Sequence, residues 1–228
     1  MIIKNKELVV VFDLDDTLYK EIDFLKSAYR EIANYLGSRF GVLADKLYEA
    51  MLADYHAGLN VFESLIKKQE FQNITVQDLL GMYRHHVPSI CLTPEYENVL
   101  KHLKKEVFKV GLITDGRSIQ QRNKLLALGL SDYFDGVIIS EEFGSEKPNV
   151  KNYQYFVNTY GAEKTYIYIG DNTRKDFSSP RLLGWKTICL LDSGTNIHKQ
   201  AFTMESEETA DYLIQDFIEI SHLMNQVL

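Results

Sequence analysis

Two carboxylates, Asp13 and Asp15, follow directly on the apolar run Leu8-Val9-Val10-Val11-Phe12. Three later apolar runs also end in polar groups. These are Thr114-Asp115-Gly116, then Ser140-Glu141-Glu142 with Lys147 in the loop beyond, then Gly170-Asp171 with Asp176 five residues on. Carboxylates do not belong inside an apolar strand unless they are paired or bind a metal. Gathered in a half-buried cleft, Asp13, Asp15 and Asp171 would repel one another. A hard divalent cation such as Mg²⁺ resolves this, taking a few carboxylate or carbonyl oxygens and leaving its other octahedral positions to water and phosphate. Lys147 brings a fixed positive charge suited to a phosphoryl oxygen, and Thr114 brings a hydroxyl. The turn at Gly116 can present backbone N–H groups to the same anion. A carboxylate can attack phosphorus and hold it as an acyl phosphate. A second acid can protonate the leaving oxygen and then deprotonate the water that releases phosphate. Asp13 and Asp15 fit these two roles. No H-x-x-x-H pair or Cys cluster suggests zinc. His85 and His86 are adjacent, point apart on a helix, and read as surface residues.

Such groups converge only if the strands carrying them are parallel. The runs at residues 8–12, 107–113, 136–139, 165–169 and 187–191 are short and apolar, as strands buried on both faces should be. Helical patterns separate them. Thr93-Pro94 reads as an N-cap with proline at the first helical position. Residues 118–128 show apolar spacing at Ile119, Leu125, Leu126 and Leu128, with a stop at Gly129. Helices are also expected over 151–160 and 179–183. Residues 206–226 read as one terminal amphipathic helix, with Leu213, Phe217, Ile220 and Leu223 on its apolar face. This alternation predicts an α/β fold, a doubly wound, Rossmann-like parallel sheet, with ligands at the carboxyl ends of its strands.

Between the first two strands the rhythm breaks. Residues 24–36, 45–55, 61–68 and 76–86 read as helices with no strand among them, too long a stretch for one crossover. We read residues 20–90 as an inserted all-helical cap over the strand ends, with residues 1–19 and 91–228 forming the catalytic core. The alternative is an enlarged helix layer packed on the sheet.

The composition permits this reading. The chain has 228 residues, enough for one domain with a smaller insertion. A net charge of −7 argues against a general nucleic-acid binder. No apolar run approaches the roughly 20 residues of a membrane helix, and the N-terminus shows no signal-peptide pattern. Cys91 and Cys189, the two cysteines, lie far apart, and Cys189 sits in an apolar run. A reducing cytoplasm is therefore expected, with no membrane partner and a monomer or homodimer as the assembly.

Asp13-Leu14-Asp15-Asp16-Thr17, Thr114, Lys147 and Gly170-Asp171 with Asp176 resemble the four ordered motifs of the haloacid dehalogenase-like hydrolase superfamily. The resemblance implies Asp13 as nucleophile and Asp15 as general acid/base. It implies Mg²⁺ held by Asp13, the backbone carbonyl of Asp15 and Asp171, and a phosphoryl group bound by Thr114 and Lys147. Asp176 would support Lys147 or the metal's waters, and Thr17 would brace the loop after the nucleophile. The inserted helices resemble the mobile cap of the subfamily whose insertion follows the first strand, where closure excludes water. Members that cleave carbon–halogen bonds lack a carboxylate at the position of Asp15, so its presence points to phosphoryl chemistry. Asp115 is counted with Thr114, Gly116 and Lys147 among the expected phosphate-binding residues, although it stands where relatives commonly carry Asn and adds negative charge beside the phosphate.

The expected activity is Mg²⁺-dependent hydrolysis of a small phosphomonoester, a sugar phosphate or nucleotide, through an aspartyl-phosphate. A phosphomutase would keep the same residues. A phospho-signalling receiver also gathers strand-end carboxylates, a Thr and a Lys, but its order of motifs differs and it lacks a large insertion after the first strand. A catalytically retired binding protein would use the cap as an interaction surface. Asp16 is expected to cap a helix or face water, and Glu141 and Glu142 to be loop charges. Arg174 and Lys175 read as a solvated basic face. Tyr19, Tyr55, His56 and Arg84 are weaker candidates for lining the pocket.

Overall fold

The first strand carries the architecture. In a computed structural model that describes residues 5–202 and 209–227, β1 (Asn5–Phe12) lies between β2 (Val107–Thr114) and β4 (Thr165–Gly170), parallel to both. β3 (Gly136–Ile139) pairs outside β2; β5 (Lys186–Leu190) and β6 (Tyr212–Ile214) extend the sheet beyond β4. The order is β3-β2-β1-β4-β5-β6, and every pair is parallel. The chain therefore leaves β1 toward one edge and later returns to build the other. Phe12 is in register with Leu112 on one side and Ile169 on the other. This is the switch point at which an open α/β sheet forms a crevice.

Both faces of β1 are buried, which explains its unbroken apolar run. Leu8, Val10 and Phe12 join a core with α5 (Pro94–Glu106), α6 (Ser118–Ala127) and α10 (Glu219–Val227). Val9 and Val11 turn to the opposite core, with Tyr153 and Phe156 of α8 (Val150–Tyr160) and Trp185. The short helices α7 (Ser140–Phe143) and α9 (Ser178–Leu182) complete the connections. Thr93 accepts a hydrogen bond from the Tyr96 N–H, and Pro94 opens α5.

The four helices expected between β1 and β2 are α1 (Glu21–Phe40), α2 (Ala44–His56), α3 (Val61–Gln69) and α4 (Val76–His85). They share an apolar cluster of their own, including Ile32, Leu36, Met51, Leu65 and Leu79, and none of its buried residues comes from a strand. α4 opens with a reciprocal capping box between Thr75 and Asp78, which satisfies two otherwise orphaned backbone donors. No helix among the described residues is long and apolar enough to cross a membrane.

Two expectations change. The single helix foreseen over 206–226 is a strand followed by a helix: β6 pairs with β5, and α10 begins at Glu219. Residues 206–208 lie outside the described residues. Leu213 is exposed on β6, whereas Phe217 is buried and stacks on Tyr96 at a centroid distance of 4.1 Å. Strand pairing and this stack override a helical spacing that was suggestive only in isolation. On α6, Ile119 and Leu126 are exposed while Gln121 and Lys124 are fully buried with Leu125. The buried face of that helix is turned by polar contacts at the strand ends.

Candidate active site

Asp13 is the first residue beyond β1, and its N–H donates to the Ile169 carbonyl at 2.8 Å. It is buried, with Oδ1 2.7 Å from the Lys147 ammonium. Lys147 also lies 2.8 Å from Oδ1 of Asp176 and donates to the Tyr168 hydroxyl at 3.3 Å. Burial alone would lower the Lys147 pKa, but Asp13 and Asp176 outweigh it and hold the ammonium charged. The motif lysine thus stands between two buried carboxylates.

Asp171 stands at the end of β4. Its Oδ1 accepts from the Thr17 hydroxyl at 3.2 Å and its Oδ2 from the Asn196 amide at 2.8 Å. Asp13, Asp171 and Asp176 each offer a carboxylate oxygen, all within 4.8 Å of one another. Burial, followed by the neighbouring acids, raises Asp171 to about 9; burial raises Asp13 to about 7 against the pull of Lys147. Three buried carboxyl groups so close form a hard-oxygen donor set that a divalent cation fits. Asp176 is the most committed of the three. Besides Lys147, it accepts from the Tyr168 hydroxyl and, through Oδ2, from the Asn172 N–H at 2.9 Å.

The Asp15 side chain is turned away from this acidic group. Its Oδ1 accepts from the Lys124 ammonium at 2.7 Å and from the Tyr19 hydroxyl; its Oδ2 accepts from the Gln121 amide at 2.9 Å. Burial raises its pKa, but Lys124, Tyr19 and Gln121 outweigh burial and leave it below the ordinary carboxylate value. The same Gln121 amide donates to the Thr114 hydroxyl at 2.5 Å, so one side chain joins the second aspartate to the end of β2.

Other residues depart from expectation. The Gly116 N–H donates to the Ser140 hydroxyl at 2.9 Å and is not free for an anion. The Asp115 carboxylate accepts from the Lys147 N–H at 3.0 Å and pairs with Lys175 at 3.1 Å. It therefore holds the motif-lysine loop with its charge already met, and Lys175 faces the cavity rather than forming only a solvated face. Thr17 holds Asp171, while the loop itself is closed by the Leu18 N–H on the Leu14 carbonyl. Of the two roles expected for Asp16, capping a helix or facing water, the structure shows the first. It is buried at a φ of 57°, accepts from the N–H of Glu21 at the start of α1 and from that of Ile197, and so ties two loops together. His86 is buried against the Phe24 ring, with Nδ1 at 2.9 Å from the Tyr83 carbonyl, whereas His85 is exposed. Glu141 and Glu142 bind Arg117 and Arg122 and are not ligands.

Asp13, Asp15, Thr114, Lys147 and Asp171 converge on one cavity of about 90 Å³. Glu21 and His198 form part of its wall; Tyr19, Tyr55, His56 and Arg84 do not. The sequence reading missed Glu21, Gln121, Lys124, Asn196 and His198. Only the tertiary fold brings these residues to the strand ends, and none belongs to a run that marks it.

A parallel sheet that delivers acids, a lysine and a hydroxyl to one crevice defines a hydrolase of the haloacid dehalogenase-like type. The haloacid dehalogenase-like hydrolase family model matches residues 10–190, and the chain belongs to that family. Glyceraldehyde 3-phosphate phosphatase of Methanocaldococcus jannaschii is 30% identical, the match covering 96% of this chain and 97% of that one. The enzyme of the same name from Pyrococcus furiosus is 27% identical, over 96% of this chain and 93% of its own. Among solved structures, the HAD-hydrolase YfnB of Bacillus subtilis bound to magnesium superposes with a TM-score of 0.60 at 19% identity, covering 97% of this chain and all of that one. That likeness is one of fold.

Proposed function

We propose that the protein is a cytoplasmic, Mg²⁺-dependent phosphatase that hydrolyses a small phosphomonoester, a short sugar phosphate of the triose class, through an aspartyl-phosphate. The observation that carries this reading is the Asp13 carboxylate set 2.7 Å from Lys147 and beside Asp171 in a small polar cavity. The names of the full-length relatives favour the triose phosphate.

In the first step an Asp13 oxygen attacks phosphorus as the ester P–O bond breaks, and Asp15, ionised in the free protein and protonated in the substrate complex, gives that proton to the departing oxygen. In the second, water attacks the aspartyl-phosphate and passes a proton to Asp15; phosphate leaves and the Asp13 carboxylate is restored. Lys147 and Thr114 meet the phosphoryl oxygens with a charge and a hydroxyl. Mg²⁺, held by Asp13, Asp171 and the Asp15 carbonyl, would add positive charge to the same oxygens. Residues 20–90 serve as a cap that encloses the leaving group, with Glu21 at its inner edge.

Purified protein is expected to release phosphate from glyceraldehyde 3-phosphate and p-nitrophenyl phosphate with Mg²⁺, and to stop with EDTA. Asp13→Asn is expected to abolish turnover while unfolding at a similar temperature. Ordinary activity in that variant would remove Asp13 as the nucleophile.

A further inference from the structure

Lys124 has no part in the reaction as described above, yet its place is unusual for a lysine. It is 1% exposed, on a helix of the core, and nothing in its sequence surroundings marks it. A buried ammonium is costly unless it is well paired, and an apolar side chain of similar volume would serve packing at least as well. Its contacts divide between two parts of the molecule. On the core side its Nζ lies 2.7 Å from Oδ1 of Asp15. On the helical side it lies 3.9 Å from Oε1 of Glu21 and 4.5 Å from the centroid of the Phe24 ring, both in the first turns of α1. The neighbouring residues of α6 act in the same region. Gln121 holds the other oxygen of Asp15, and the Asn123 amide donates to the carbonyls of His85 and His86, where the chain leaves the helical insertion. α6 therefore touches both crossings between core and insertion together with the carboxyl group assigned to proton transfer.

We propose that Lys124 is the positioning residue of Asp15. Its ammonium fixes the Asp15 carboxyl against the start of α1. The proposal rests on Asp15 as the general acid/base. It assigns Lys124 no contact with substrate. The proton that leaves with the ester oxygen is one that Asp15 takes up in the substrate complex, and Lys124 sets where that carboxyl group stands.

The test compares two esters. The nitrophenolate of p-nitrophenyl phosphate leaves without a proton, whereas the alkoxide of glyceraldehyde 3-phosphate needs one. Loss of a positioned general acid costs about 100-fold or more for the second kind of ester. Lys124→Met is expected to lower kcat/KM for glyceraldehyde 3-phosphate by about that factor and to leave kcat/KM for p-nitrophenyl phosphate little changed. Because Asp15 is also misplaced as the base, p-nitrophenol should appear in a burst equal to the enzyme concentration, marking accumulated phosphoenzyme. In an Asp15→Asn background, Lys124→Met should add no further loss for the alkyl ester. An equal fall for both esters, wild-type values for both, or a full additional loss in the Asp15→Asn background would overturn the proposal. If Lys124→Met does not unfold cooperatively, Lys124→Gln is read by the same comparison and the same outcomes. Asp15→Asn alone separates the two ideas. If that variant hydrolyses the alkyl ester normally, the acid assignment itself fails. If it loses activity while the Lys124 variants do not, only the positioning role fails.

Discussion

Asp171 is held by two neighbours of different origin, Thr17 from the loop after β1 and Asn196 from the loop after β5. Residues that hydrogen-bond a metal ligand fix its orientation, and their loss typically weakens metal binding about 10–100-fold. Asn196→Ala is expected to weaken Mg²⁺ binding within that range, as read by isothermal titration calorimetry, with little change in the unfolding midpoint in EDTA. The buried acids also predict a pH dependence. Asp13 and Asp171 rise from 3.8 to about 7 and about 9 in the folded chain. A carboxyl group whose folded pKa is raised binds more protons in the native state, so its contribution to stability is lost as pH rises from the unfolded value through the folded one. The metal-free protein should therefore lose thermal stability between about pH 4 and about pH 9. Mg²⁺ should restore stability increasingly toward the alkaline end, with protons released on binding. Melting curves in EDTA and in Mg²⁺ across that range check this, and parallel curves would contradict it.

At the scale of elements, two close approaches fix the geometry. A Cβ on Gly170, the last residue of β4, would collide with Oδ2 of Asp176. Gly170→Ala should push that carboxylate off Lys147 and reduce kcat more than it lowers stability, a contrast checked by assay alongside calorimetry. Inside β2, a Cβ on Gly111 would crowd the Phe156 ring, with Cζ at 2.9 Å. Overpacking of this kind costs about 1–3 kcal/mol. Gly111→Ala should therefore lower stability by about that amount in chemical denaturation, while the site chemistry is retained. α6 shows where sequence spacing was a poor guide. Ile119 and Leu126 are exposed, while Gln121 and Lys124 face inward because Asp15 and Thr114 supply partners that a sequence window does not contain.

The whole molecule places the carboxyl ends of the central strands beside a helical insertion with its own apolar cluster, and Glu21 of that insertion enters the wall of a cavity of about 90 Å³. Such a space suits a phosphoryl group with a short carbon chain. A phosphorylated segment of polypeptide is expected to need the helices moved aside to bring its phosphate to Asp13. The kcat/KM for a phosphoserine peptide is expected to be at least about 100-fold below that for glyceraldehyde 3-phosphate. Comparable values would mean that the helices do not enclose the substrate.

Much of this protein could be read from the chain itself. Apolar runs that end in Asp13, Thr114 and Asp171 specify parallel strands and their polar ends, because burial on both faces demands the first and desolvation cost forbids charges within it. The four helices of the insertion were legible for a similar reason, since their own apolar stripes close on one another. The tertiary structure alone decided what depends on partners distant in sequence. β6 formed where a helix was expected because β5 offered an open edge, and Gly116 gave its N–H to Ser140. Asp15 took its orientation from Lys124 and Gln121, more than a hundred residues away. Local pattern reports what a segment must bury, whereas the direction of a side chain in a site is set by whichever group the fold brings opposite it.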